Sequence, residues 1–288
     1  MNLKTEPSNA IINSYQISDH EFQLFATMVY DRFGIHLTEQ KMSLVSGRLQ
    51  KKLRELSLSS FKEYYEYIIH DKSQQSLIEL INLLTTNHTF FFREKTHFDF
   101  FIHQALPELK SQLISNNLRD LRIWSAGCSS GEEPYTLVML LMEFLGTDYS
   151  HWDAGLLATD ISEKVLSFAK IGIYPEDRVK DLPPLYKQKY LQKLPNHQWE
   201  VIAKIKNEVT FRRFNLMNQQ FPFKKQFHMI FCRNVMIYFD PPTRHELVQR
   251  FYQHLAPGGY LFIGHSETLG RENNLFEYIK PALYRKRV

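Results

Sequence analysis

The residues best suited to chemistry fall in short clusters, each beside an apolar run. Gly127-Cys-Ser-Ser-Gly131 precedes Glu132, Glu133 and Pro134, and Asp160 ends a run that starts at Leu156. Asn87, Thr89 and Arg93 flank three consecutive phenylalanines, while Arg233, Asn234, Tyr238 and Asp240 follow Phe227–Cys232. The first cluster has the form strand, glycine turn, helix. Leu121 to Ser125 is short and apolar, the glycines break the pattern, and Glu-Glu-Pro suits a first helical turn. Such a turn builds a nucleotide-type pocket at the carboxyl ends of the strands of an open α/β sheet, and a carboxylate ending the next strand suits a ribose diol.

The turn is neither Gly-x-Gly-x-x-Gly nor a P-loop with Lys-Ser/Thr. Glu132 and Glu133 are expected to repel a pyrophosphate from the helix N-terminus, where anions usually settle. A cationic nucleoside fits better, and S-adenosylmethionine has a sulfonium, an ammonium and a ribose. His265 and Glu267, after Gly264, form either an acid–base pair or, more simply, a turn cap.

These groups need a scaffold of ordinary size. The chain has 288 residues, 43% hydrophobic and 23% charged, enough for two domains of a soluble globular protein. Its net charge of +4 is too mild for a nucleic-acid footprint, and Cys128 and Cys232 are too few for a disulfide scaffold or a cysteine-rich zinc site. Met1 to Ala10 is polar, unlike a secretory signal, and the Leu137–Leu145 run is too short to span a bilayer.

Residues 1–17 are expected to form a flexible leader and 18–85 an all-α domain opened by a Ser18/Glu21 capping box. In its second helix, Lys41, Arg48, Lys51 and Lys52 flank the apolar stripe Met42, Val45, Leu49, Leu53. That is either a solvated face or a docking surface for an acidic helical partner. Residues 86–117 read as a linker and connecting helix, and 118–288 as the α/β domain. Within it, about 174–210 is punctuated by prolines and reads as an inserted β-subdomain, with Val201–Lys206 and Val209–Arg213 as short strands. Phe214 to Met217 ends a further strand, Phe227–Cys232 is the central one, and Tyr278–Arg285 is expected to return as an antiparallel edge strand.

Taken together, Asn87-His-Thr-Phe-Phe-Phe-Arg93, Ser125-Ala-Gly-Cys-Ser-Ser-Gly-Glu-Glu-Pro-Tyr135, Ala158-Thr-Asp-Ile-Ser162, Gly172-Ile-Tyr174, Phe231-Cys-Arg-Asn-Val-Met-Ile-Tyr-Phe-Asp240 and Gly264-His-Ser-Glu267 carry a family likeness. They resemble the chemotaxis protein-glutamate O-methyltransferases, the CheR family, over nearly the whole chain from Ser18. The resemblance implies a Rossmann-like S-adenosylmethionine-dependent methyltransferase sheet with a small inserted β-subdomain, preceded by a small all-α domain. It implies methylation of glutamates on the cytoplasmic helices of methyl-accepting chemotaxis receptors, leaving S-adenosylhomocysteine.

Carried over position by position, Asn87, Thr89, Arg93, Glu133, Asp160, Asn215, Leu216, Arg233 and Asn234 correspond to cofactor contacts. By the same likeness Arg93, Arg233 and Tyr238 would lie nearest the transferred methyl, with Arg93 or Arg233 holding the substrate carboxylate through a charge-assisted bond and the Tyr238 hydroxyl orienting it. The basic helix around Arg48 would face the receptor. We expect a cytoplasmic monomer recruited to membrane receptor arrays, with no metal, no nucleic-acid partner and no direct membrane insertion. One departure stands out: Gln192–Trp199 lacks the glycines with which some members grip a receptor's C-terminal peptide, which leaves direct docking as the simpler expectation. The rival readings are a non-catalytic module that binds S-adenosylmethionine or S-adenosylhomocysteine, and a methyltransferase for another substrate.

Overall fold

In the computed structural model, residues 16–270 and 273–287 are described, so the expected leader lies outside the described residues up to residue 15. The chain forms two compact units, one of residues up to Asp31 with Leu37–Thr85, the other of Arg32–His36 with Thr86 onward.

The first unit is helical. α1 (Asp19–Phe33) starts at the reciprocal pair the sequence indicated: the Glu21 amide donates to Ser18 Oγ (3.3 Å), and the Ser18 amide donates to Glu21 Oε2 (2.9 Å). It stops before Gly34, whose φ of +68° a β-carbon would strain. α2 (Met42–Glu55), α3 (Phe61–His70) and α4 (Gln75–Leu84) follow. Phe22, Phe25, Val45, Leu49, Leu53, Tyr64 and Leu80, with no exposed surface, recur at helical spacing and form the core.

The second unit opens with α5 (Lys95–Phe100) and, after a π-helical stretch, α6 (Leu106–Ser115). Its seven-stranded sheet has the order β6-β2-β1-β7-β8-β10-β9, where β1 is Ile123–Ala126, β2 Leu156–Asp160, β6 Val209–Arg213, β7 Phe227–Cys232, β8 Leu255–Ile263, β9 Phe276–Lys280 and β10 Leu283–Lys286. The run from β6 to β8 is parallel, and β1 and β7 are buried throughout, as strands covered on both faces must be. From β1 the chain first builds outward through β2 to β6, then returns to place β7 on the other side. The order therefore reverses between β1 and β7, the switch point at which open α/β sheets bind ligands. α7 (Glu132–Leu145), α8 (Glu163–Ile171) and α12 (Pro241–His254) cover the sheet. Trp124 on β1 packs among Phe214, Phe221, Phe223, Phe227 and Phe251, with its indole N–H on Thr159 Oγ1 at 2.9 Å. Truncating it to alanine would cost roughly 3–5 kcal/mol.

Between β2 and β6 lies the insertion: β3 (Ile173–Pro175), α9 (Glu176–Val179), α10 (Pro184–Tyr190), β4 (Leu191–Leu194), β5 (Gln198–Val201) and α11 (Ala203–Lys206). Its antiparallel sheet has the order β3-β5-β4. Three details correct the sequence reading. Val209–Arg213 belongs to the main sheet, where it pairs in parallel with β2, and is the same strand that leads into Phe214. Residues 203–206 make a helical turn rather than a strand. Tyr278–Arg285 spans two strands, and the first of them, β9, is the edge, because β10 pairs with both β8 and β9. Short alternation identifies a strand but not its partner.

Candidate active site

The turn after β1 is shaped by its neighbours. The Gly127 and Cys128 amides both donate to the Thr159 carbonyl (2.8 and 2.9 Å), which brings the ends of β1 and β2 together. Gly127 has φ +85°, and a β-carbon there would lie 2.4 Å from Val235 Cγ2. Asp160 accepts the Ser129 amide on one oxygen and the Ser162 amide on the other, each at 2.9 Å. Burial pushes its carboxyl above the ordinary range, against the pull of those amides. Each oxygen keeps lone-pair capacity for a further donor. The helix-capping role falls to Ser162, whose hydroxyl accepts the Val165 amide.

Each of the acids that open α7 meets an arginine from elsewhere in the chain. Glu132 has no exposed surface and pairs with Arg178 (2.6 Å). Glu133 accepts the Ser125 hydroxyl (2.7 Å) and the Arg233 guanidinium (2.9 Å). Arg233 leaves β7 almost fully buried, its side chain 2% exposed, and also donates to Glu94 Oε2 (3.0 Å) and to the Arg93 carbonyl. Burial raises the Glu94 carboxyl, but the charge of Arg233 together with hydrogen bonds from Arg233, the His265 amide and Asn234 holds the group below its ordinary value. With two carboxylates to one guanidinium, the trio keeps a net negative charge at the switch point.

Arg93 is only half-buried, and its Nη1 donates to the His88 carbonyl at 2.6 Å. It is held by its neighbours: Phe91 is fully buried against Tyr174, and Phe92 packs on Phe98 and Tyr186. Phe92 and Glu94 carry positive φ values of 58° and 59°, conformations that side chains seldom adopt. Asn87 meets the glycine turn through its carbonyl, which accepts the Ser129 hydroxyl (3.3 Å); Thr89 lies half-buried beside it in sequence.

Other candidates are more tied up than their sequence positions suggest. The Asn215 side chain donates to the Arg32 carbonyl (2.8 Å) and accepts the Met217 amide (3.0 Å), and Leu216 is buried in the cluster around Trp124. The Tyr238 hydroxyl accepts the Thr86 amide (2.9 Å) and donates to the Thr86 carbonyl (3.2 Å). In the first unit, Arg48 caps the end of α4 by donating to the carbonyls of Leu83, Leu84 and Thr85, and Lys52 pairs with Glu79 (2.9 Å). Two of the four basic docking candidates thus serve their own unit. Lys41 is half-buried, while Lys51 is exposed and aligned with exposed Leu44, Gly47 and Arg54.

Glu94 and Arg178 were missed. Glu94 gave no signal beyond its place next to Arg93, and Arg178 lay in a segment read only as an insertion. Glu267 accepts the amides of Gly264, Asn234 (2.9 Å) and Ile237 (3.0 Å), so it caps the turn rather than pairing with His265. Glu94, His97 and His265 present ligand-type atoms within 4.8 Å of one another; both His97 ring nitrogens are buried without a hydrogen bond, Nδ1 lying 3.4 Å from Glu94 Oε2. The Arg233 guanidinium already occupies the Glu94 carboxylate there, which works against a second cation. A cavity of about 630 Å³ lined by Met236, Pro241, Arg244 and Leu269 contains none of the candidate site residues.

Two family models match the chain: "CheR methyltransferase, all-alpha domain" over residues 20–85 and "CheR methyltransferase, SAM binding domain" over residues 87–284. A "Chemotaxis protein methyltransferase" of Borreliella burgdorferi is 45% identical, covering 99% of this chain and 100% of the relative. The protein of that name in Escherichia coli K12 is 36% identical over 93% of this chain and 91% of its own. "Chemotaxis protein methyltransferase 2" of Pseudomonas aeruginosa is 37% identical, with 94% of each chain covered.

Proposed function

Because this chain belongs to the CheR methyltransferase family, we propose that it transfers the methyl of S-adenosylmethionine to glutamate carboxylates on the cytoplasmic helices of chemotaxis receptors. The observation that carries this reading is the convergence of the Gly127–Gly131 turn, Asp160 and the Glu133–Arg233 pair on the β1–β7 switch point. The residues there fit the nucleoside. Asp160 offers two carboxylate oxygens with spare acceptor capacity, and the net negative charge of Glu94, Glu133 and Arg233 suits a sulfonium. In this reading Asn87, Thr89, Asn215, Leu216 and Asn234 supply the remaining cofactor contacts.

When bound, S-adenosylmethionine supplies an electrophilic methyl whose leaving group is a neutral thioether. Little acid–base help is needed, since a glutamate carboxylate, with a reference pKa of about 4.3, is already an ionised nucleophile. What the chain must provide is alignment. Arg233 is spent on Glu94 and Glu133, which assigns it to bracing the cofactor side. Arg93, half-buried and bound on one nitrogen to a carbonyl, is left to hold the substrate carboxylate by a charge-assisted bond. Tyr238 fixes Thr86 and through it the segment that carries Asn87 and Thr89.

Docking rests on the exposed stripe Leu44, Lys51, Arg54 of α2, with Lys41 at its start, meeting acidic receptor helices. The protein acts as a monomer at membrane receptor arrays, without nucleic acid or metal. Among the described residues no helix is long and apolar enough to cross a membrane. The test is incubation of receptor membranes with methyl-labelled S-adenosylmethionine. Label on the receptor that mild base releases, as from a carboxyl ester, supports the proposal. Label on RNA, or base-stable label, contradicts it.

A further inference from the structure

The cofactor turn is gripped from two sides. On the sheet side, Thr159 and Asp160 hold the amides of Gly127, Cys128 and Ser129. On the other side, both partners come from the insertion. Tyr174, on β3, is fully buried and donates its hydroxyl to the Ser130 carbonyl at 2.7 Å. Arg178, on α9, places one guanidinium nitrogen 2.9 Å from the Ser130 hydroxyl and 2.6 Å from Glu132 Oε1. The other Glu132 oxygen accepts the Ser130 hydroxyl at 2.7 Å.

A carboxylate with no exposed surface is strongly unfavourable without a cation, so the first turn of α7 depends on a side chain that the insertion delivers. There is little slack between the two grips. A β-carbon on Gly131 would lie 2.8 Å from Ala169 Cβ and 3.0 Å from the Tyr174 hydroxyl. The adjoining Phe91, fully buried against Tyr174 at 5.1 Å between ring centroids, ties the Asn87–Arg93 segment to the same strand of the insertion.

We infer that the inserted subdomain is a working part of the cofactor site, with Arg178 and Tyr174 as positioning residues that set the shape of Ser129–Glu132 and thereby cofactor affinity. The inference rests on the reading of Gly127–Gly131 as the cofactor turn. It has a consequence beyond that reading. Anything that engages the insertion and displaces Arg178 changes cofactor affinity, and cofactor occupancy changes that engagement by the same factor.

The test is calorimetric titration of the full chain with S-adenosylhomocysteine, with thermal unfolding followed in parallel. Arg178→Gln strands the Glu132 charge and should weaken binding by roughly tenfold or more. Arg178→Lys keeps the cation and should recover most of the loss. Arg178→Gln combined with Glu132→Gln removes the stranded charge and should bind within about threefold of Glu132→Gln alone. If Arg178→Gln fails to fold, Tyr174→Phe, which deletes only the bond to Ser130, should still weaken binding by roughly threefold. A lowered Tm with the Kd within twofold of the parent would mark both residues as merely structural and overturn the inference. Purely additive losses in the double variant would overturn it as well. A parent chain that does not bind S-adenosylhomocysteine at all contradicts the cofactor reading itself.

Discussion

Arg93 and Arg233 are interchangeable on paper, and burial separates them. Arg233 is enclosed with two carboxylates, so Arg233→Ala leaves Glu94 and Glu133 without their cation and should cost roughly 3–5 kcal/mol in urea denaturation. Arg93→Ala should leave stability within about 1 kcal/mol yet lower receptor methylation strongly, since its guanidinium donates to a main-chain carbonyl at a half-buried site. Equal losses of stability in the two variants would contradict the division of labour. Glu267 acts on the same loop from below. In Glu267→Gln an amide N–H₂ must face main-chain N–H donors, which should cost about 1–3 kcal/mol and weaken S-adenosylhomocysteine binding; unchanged affinity would remove Glu267 from the positioning of Asn234.

His97 makes a prediction in pH. Burial first, then the charge of Arg233, lowers its pKa from 6.5 to about 3. The unfolded chain therefore binds a proton there that the folded chain refuses. The stability this residue supports is complete above pH 6.5 and declines as pH falls toward 3. Comparing denaturation of the parent and His97→Leu between pH 7 and pH 5 should give a parent that loses up to about 1.4 kcal/mol per pH unit more than the variant. Parallel profiles would refute the assignment of a neutral buried imidazole.

At the scale of elements, the sequence was most legible where a local rule had a local cause. The Ser18/Glu21 box, the stop at Gly34 and the buried run of β7 all follow from side chains within a turn of the feature they set. Legibility failed where the partner is distant. Val209–Arg213 alternates like a hairpin strand, yet its amides pair in parallel with β2, a choice that side-chain period cannot reveal. The same holds for α2, whose basic stripe looks uniform in sequence. Only packing shows Arg48 closing α4 and Lys52 meeting Glu79. The docking proposal accordingly moves to the exposed positions. Lys51→Glu with Arg54→Glu should reduce receptor methylation at least severalfold, most visibly at low salt, while S-adenosylhomocysteine affinity stays unchanged. Full activity on receptor would sink the docking face, and lost cofactor binding would show that the substitutions act on folding instead.

For the molecule as a whole, the ordered motifs conveyed an α/β methyltransferase fold with an insertion and a helical unit before it, and both family models bear this out. What they could not convey is charge balance. Read along the chain, Glu132 and Glu133 form an acidic pair at a helix start. In the folded protein each meets an arginine from a different element, Arg178 and Arg233, and the negative charge at the switch point comes from Glu94 together with Glu133. The account therefore stands on a place more than on any one residue: the crevice between the ends of β1 and β7. Its most direct test is a crystal of the chain soaked with S-adenosylhomocysteine. The account expects the adenosine ribose on Asp160 and the thioether near Arg93 and Arg233; density for the ligand elsewhere, or none at that crevice at saturating concentration, would contradict it.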